Sequence, residues 1–100
     1  MDKKINQPVV CVISIELFIP MSHSLKEKRK QIKSLKERLK NRFNASVAEV
    51  GLLDDWQRAV LGVSMISNDK VYLEKQYRNI ETLVLEGREV ELINISIEWV

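Results

Sequence analysis

The residues of this chain best suited to chemistry are cations. Between Ser24 and Phe43 it carries Lys26, Lys28, Arg29, Lys30, Lys33, Lys36, Arg38, Lys40 and Arg42 against only Glu27 and Glu37. That stretch has a net charge of +7, from nine basic and two acidic residues. The rest of the chain holds seven basic and twelve acidic residues, a net of −5, so the total of +2 hides a polarised molecule. A concentrated positive face attracts phosphate without any catalytic group. At about 100° per residue, Arg29, Lys33, Lys36 and Lys40 recur at i, i+4, i+7 and i+11. They form one stripe beside the apolar face of a helix, widened by Lys26 and Lys30, and these six are the candidate nucleic-acid contacts. Lys28 lies close to the apolar line, where its stem is expected to cover core residues while its ammonium reaches water. The plainer alternative is a solvated, Lys-rich helix favoured by the helix propensity of Lys and Arg.

Other reactive residue types offer less. Ser22, His23 and Ser24 precede the basic stretch and form a candidate anion-binding loop, with Lys26 beside it, because amides at a helix start point outward. A nucleophilic role for this His-Ser pair lacks a third group, and adjacent loop residues seldom meet in the required geometry. The ordinary role of His23 is to bond the turn and position the helix. Glu16 and Arg58 are expected to face each other across the open side of a sheet, and Glu49 to make a cross-strand pair. Trp56, just after a turn, is expected to be a packing anchor. Gly51, Gly62 and Gly87 lack the spacing of a phosphate-binding loop. Cys11 is the only cysteine, so no intrachain disulfide or multi-Cys metal site can form. A small buried hydrophobe in a reducing compartment is its simplest role. No catalytic residue, metal site or cofactor is therefore expected.

The elements that must position these residues follow from pattern. Val9–Ile19 is a buried strand, with Cys11, Ile13, Ile15 and Leu17 on one face. Pro20 ends it. Ser24-Leu25-Lys26-Glu27 is a capping box opening a helix to about Phe43, with Leu25, Ile32, Leu35, Leu39 and Phe43 as its apolar stripe. Ala45–Leu53 and Gln57–Ile66 read as two strands of a hairpin around Asp54-Asp55. Asn68-Asp69 starts a second helix, whose inner face is Leu73, Tyr77, Ile80 and Val84, and Gly87 ends it. Glu89–Val100 is a last strand with Ile93, Ile95, Ile97 and Trp99 on one face. The order β-α-β-β-α-β implies an α+β, ferredoxin-like two-layer sandwich: an antiparallel four-stranded sheet with two helices on one face.

One hundred residues make one domain, 1–100, with 1–7 expected to be a flexible lead. Met1–Ile19 has basic residues ahead of an apolar run, but Glu16 interrupts it and no small-residue cleavage site follows. No apolar run approaches the roughly 18 residues of a membrane span. A cytoplasmic protein with no membrane partner is expected.

Laid out this way, the chain resembles the YlxP-like family of small bacterial proteins of unknown function. The resemblance covers nearly the whole length. It is carried by the segment from Ile19-Pro20-Met21-Ser22-His23-Ser24 through Leu25-Lys26-Glu27-Lys28-Arg29. Further support comes from Asn41-Arg42-Phe43-Asn44 with Val47-Ala48-Glu49, Trp56-Gln57-Arg58-Ala59, and Val63 to Asp69. It implies a ferredoxin-like fold. Because such proteins are often encoded beside translation and ribosome-maturation factors, it also implies a role with RNA or the ribosome. It supplies no catalytic residues. Two departures are Met21, where glycine is common, and Gly51-Leu52 in place of a more polar stretch.

The functional expectation is a non-enzymatic protein that contacts RNA or a ribosomal particle through its first helix. The RRM mode is not expected, because Gln57–Ile66 offers no aromatic residue for stacking. The alternative is a homodimerising interaction module without nucleic-acid binding. Its contact would be the open sheet face of Val10, Val12, Phe18, Val60 and Gly62, or the terminal strand.

Overall fold

A computed structural model describes residues 7–100. The expected flexible lead at 1–7 therefore falls almost entirely outside the described residues. The elements run β1 (Val9–Phe18), α1 (Leu25–Arg42), β2 (Ser46–Gly51), β3 (Arg58–Ser67), α2 (Lys70–Leu85) and β4 (Glu91–Trp99). The sheet order is β2-β3-β1-β4, and each neighbouring pair is antiparallel. Each helix thus connects two parallel strands with a third between them, the split βαβ arrangement of the ferredoxin-like fold.

The core lies between the helices and one face of the sheet. Cys11, Ile13, Ile15 and Leu17 of β1 and Ala59, Leu61, Val63 and Met65 of β3 point into it. Opposite them sit Ile32, Leu35 and Leu39 of α1 and Leu73, Ile80, Leu83 and Val84 of α2. Burial pushes the Cys11 thiol above its ordinary pKa, as suits a packing residue. Asp69 caps α2 by accepting from the Val71 amide at 2.9 Å. The Gly87 amide reaches the Val84 carbonyl at 3.1 Å, closing that helix where expected.

Both edge strands bulge, and this corrects one expected face. In β4 the pairing passes from Glu16–Asn94 to Leu17–Leu92, so Ile93 is an extra residue. An inserted residue reverses the side-chain parity of a strand. Leu92 consequently joins Ile95, Ile97 and Trp99 against the core, while Ile93 is 48% exposed. In β2 the pairing passes from Glu49–Leu61 to Gly51–Val60, leaving Val50 as the extra residue. Val50 leans over Gly62, where a Cβ would approach its Cγ1 to 3.2 Å.

Candidate nucleic-acid interface

The frame of the site is set by how α1 begins. The Ser24 hydroxyl accepts from the Glu27 amide at 3.1 Å. The Glu27 carboxylate reaches back to the His23 amide at 2.5 Å, one residue before the usual capping-box partner. Ser22 is buried, donates its hydroxyl to the Ser24 carbonyl at 3.0 Å, and gives its amide to the Ile19 carbonyl at 3.1 Å. The loop expected to bind an anion thus already holds one. Glu27 occupies the His23 donor, and the serines are engaged with each other and with the helix.

The chain's most demanding local arrangement centres on Lys28, and it overturns the expectation of a snorkelling side chain. Lys28 is fully buried, at 0% exposure. Its Nζ donates to the carbonyls of Leu52 at 2.8 Å, Arg58 at 3.0 Å and Leu53 at 3.4 Å. It also lies 3.1 Å from Glu49 Oε2. Three ammonium protons cannot serve four oxygens well, and Glu49 Oε2 is left with charge attraction but no directed hydrogen bond. Glu49 therefore pairs with a helix residue, not across strands. The sequence held a signal for this. Lys28 stands four, seven and eleven residues before Ile32, Leu35 and Leu39, in the middle of the apolar face and not at its margin.

Lys28 organises the β2–β3 connection, residues 52–57, which is longer than a two-residue hairpin turn. The Asp55 carboxylate accepts from the amides of Gln57 and Arg58, both at 2.9 Å. These two bonds, Gln57 first, hold the Asp55 carboxyl below the ordinary carboxylate range. The Gln57 carbonyl accepts from the Ile19 amide at 2.6 Å, and the Gln57 side chain donates to the Pro20 carbonyl at 3.0 Å. Leu52 sits in the left-handed region at φ 57°, where a residue with a Cβ pays a steric penalty. The resulting tip turns Leu52, Leu53 and Trp56 outward. Trp56 is 57% exposed, so the expectation of a packing anchor is wrong. The backbone of the tip closes on the Lys28 ammonium, which leaves its larger side chains no core to enter. Beside it, Arg58 and Glu16 form an ion pair on the open sheet face, as expected.

The basic stripe lies next to this tip. Arg29, Lys33, Lys36 and Lys40 line one open groove of about 580 Å³ with Ile32, Glu37 and Glu49. Lys36 is half-buried and the other three are exposed. Lys26 and Lys30 are exposed but fall outside that groove. Lys30 instead lines a cavity of about 180 Å³ with Met21, Glu27, Gln31 and Glu89, on the other flank of α1. Among the described residues, Lys28, Arg42 and Arg58 form ion pairs, whereas the six candidate cations form none. The helix also sets Lys26 against Lys30, Arg29 against Lys33 and Lys36 against Lys40 at i, i+4. Each such pair costs about 0.2–0.5 kcal/mol, so the stripe does not serve helix stability.

Fold and surface together define a small ferredoxin-like α+β domain with one strongly basic flank and an apolar loop tip. Among the described residues no helix is long and apolar enough to cross a membrane. The chain belongs to the DUF503 family of proteins of unknown function, whose model matches residues 10–97. It is also similar to the uncharacterized protein YlxP of Bacillus subtilis (strain 168), with 34% identity over 84 residues. That match spans 84% of this chain and 91% of the relative.

Proposed function

We propose that this protein is a non-enzymatic cytoplasmic factor that binds structured RNA or a ribosomal particle through phosphate contacts from α1. One observation carries the reading: Arg29, Lys33, Lys36 and Lys40 share a groove, and among the described residues no acid within 4.0 Å neutralises them. Unpaired cations held in a row by a rigid helix suit a phosphate backbone, and such contacts give affinity with little sequence preference. The open groove has no enclosed chamber in which to isolate a reaction from water.

The test is a salt titration of binding to ribosomal RNA fragments. Four phosphate contacts give a log–log slope of about −2.8 to −3.6, from roughly 0.7–0.9 per contact. The variant R29Q/K33Q/K36Q/K40Q is expected to fold normally and lose this binding. A folded variant that binds like the parent sinks the proposal.

A second reading rests on the open sheet face, where Val12, Val50 and Ile66 are exposed and Val10, Phe18 and Val60 half-buried. Two copies pairing through that face would cover these side chains. A monomer mass by light scattering at micromolar concentration counts against this. The two readings are compatible, since α1 lies on the opposite side of the sheet.

A further inference from the structure

The β2–β3 tip has a cost that stability alone does not explain. It buries an ammonium, leaves Glu49 Oε2 without a directed hydrogen bond and holds Leu52 at a positive φ. Each of these is unfavourable by itself. What they secure is a rigid loop presenting an indole and two leucine side chains to solvent. A bulge at Val50 sits immediately before it, a device that commonly re-aims a strand beside a functional site.

The tip and the cationic groove are linked through one buried ammonium. Glu49 lines the groove and touches Lys28 Nζ, which in turn holds the carbonyls of Leu52 and Leu53. The exposed Leu52, Leu53 and Trp56 thus belong to a loop whose backbone is held by the same Lys28–Glu49 pair that adjoins the groove. A ligand matching both must carry a flat apolar face attached to an anionic backbone, and an unstacked nucleotide has that composition. An uninterrupted duplex has it only at its ends, because its bases are already stacked.

We propose that Trp56 is a stacking platform for an unpaired base whose flanking phosphates enter the Arg29–Lys40 groove, so that the ligand is single-stranded or looped nucleic acid. This rests on the phosphate-binding reading above and adds to it the state of the bases. The stacking surface expected to be absent from the central strands is thus supplied by the hairpin tip. Leu52 and Leu53 are exposed on the same loop and add apolar surface to it.

The test uses Trp99→Phe as the parent, which leaves Trp56 as the one indole of the chain's two tryptophans. The probes are a short oligoadenylate in ribo and deoxyribo forms, a blunt RNA duplex of equal length, and phosphatidylglycerol vesicles. Oligoadenylate is expected to quench Trp56 emission. Trp56→Ala is expected to weaken oligoadenylate binding by about 5- to 150-fold, the range that one stacked base supplies. Its salt slope should stay unchanged, because no cation has been removed. Trp56→Phe should recover most of the affinity, and duplex binding should barely change. Circular dichroism checks that each variant is folded, as substitution of an exposed side chain should permit.

Equal oligoadenylate binding by Trp56→Ala and its parent overturns the platform. If the four-glutamine variant still loses binding in that case, the groove reading survives alone. A parent that binds neither oligoadenylate nor duplex overturns both. Quenching by vesicles but not by oligoadenylate overturns the base assignment in favour of a lipid surface. Stronger binding of the ribo form marks a 2′-hydroxyl contact. Equal binding of the two forms leaves the platform intact and places its selectivity in base exposure.

Discussion

The two helices occupy equivalent places in the two βαβ halves and do the same structural work, yet their surfaces differ sharply. α1 covers the sheet with Ile32, Leu35 and Leu39, and α2 does so with Leu73, Ile80, Leu83 and Val84. α2 carries Lys70, Lys75 and Arg78 against Glu74 and Glu81, nearly balanced, whereas α1 carries nine basic residues against two acidic. Covering one side of a ferredoxin-like sheet does not require a basic helix, since α2 does it without one. The excess on α1 therefore calls for an explanation outside the fold. The second contrast concerns the inward faces. That of α2 is apolar, while α1 has Lys28 in the middle of its core face.

The sharpest way to break the comparison is Lys28→Met, which gives α1 the kind of inner face α2 already has. Removing one partner of a buried pair typically costs about 3–5 kcal/mol, and three carbonyls lose their donor as well. We expect a loss of that size in urea unfolding. We also expect the tip to loosen, with faster amide exchange at residues 52–58. A stable Lys28→Met with an unchanged tip would show that the buried ammonium does not position the loop.

The outer faces give the next largest effect. Replacing Lys70, Lys75 and Arg78 of α2 by glutamine should leave RNA affinity within about threefold of wild type, since these residues do not line the groove. The four-glutamine variant of α1 should abolish binding while stability stays level or rises by less than about 1 kcal/mol, as like-charge pairs disappear. Equal loss of binding from both helices would mean that net charge, and not the stripe, drives association.

The smallest effect is acid sensitivity of the tip. Asp55 is held below its ordinary range when folded, by the amides of Gln57 and Arg58. Its contribution is thus present above the unfolded value, about 3.9, and is lost as pH falls through the lower folded value. Trp56 emission in the Trp99→Phe background should be flat from pH 7 to about pH 4 and change below that, with the Asp55→Asn variant showing no such step.

Much of this was legible in the chain. The period of Ile32, Leu35, Leu39 and Phe43 announces a helix, and Cys11, Ile13, Ile15 and Leu17 announce a strand face, because burial imposes those spacings locally. The stripe of Arg29, Lys33, Lys36 and Lys40 follows from the same helical geometry. The charge of Lys28 argues for the helix margin while its spacing from the three core residues favours burial, and the partners that decide between them lie 21 to 30 residues away. Alternation alone puts Ile93 on the core face, because it carries no mark of an inserted residue. A large apolar side chain such as Trp56 usually gains from burial, and nothing local shows that the tip backbone is pinned elsewhere.

By itself the sequence determined the element order, the core faces and the row of cations, since each depends on periodicity within a single element. Only the tertiary structure decided that Lys28 is a buried clamp, that both edge strands bulge, and that Trp56 stands in solvent on the loop whose backbone Lys28 holds. Those outcomes depend on which backbone carbonyls and carboxylates the fold brings around one ammonium, and on how two strands register. Both are contacts between segments distant in the chain, and no local pattern encodes them.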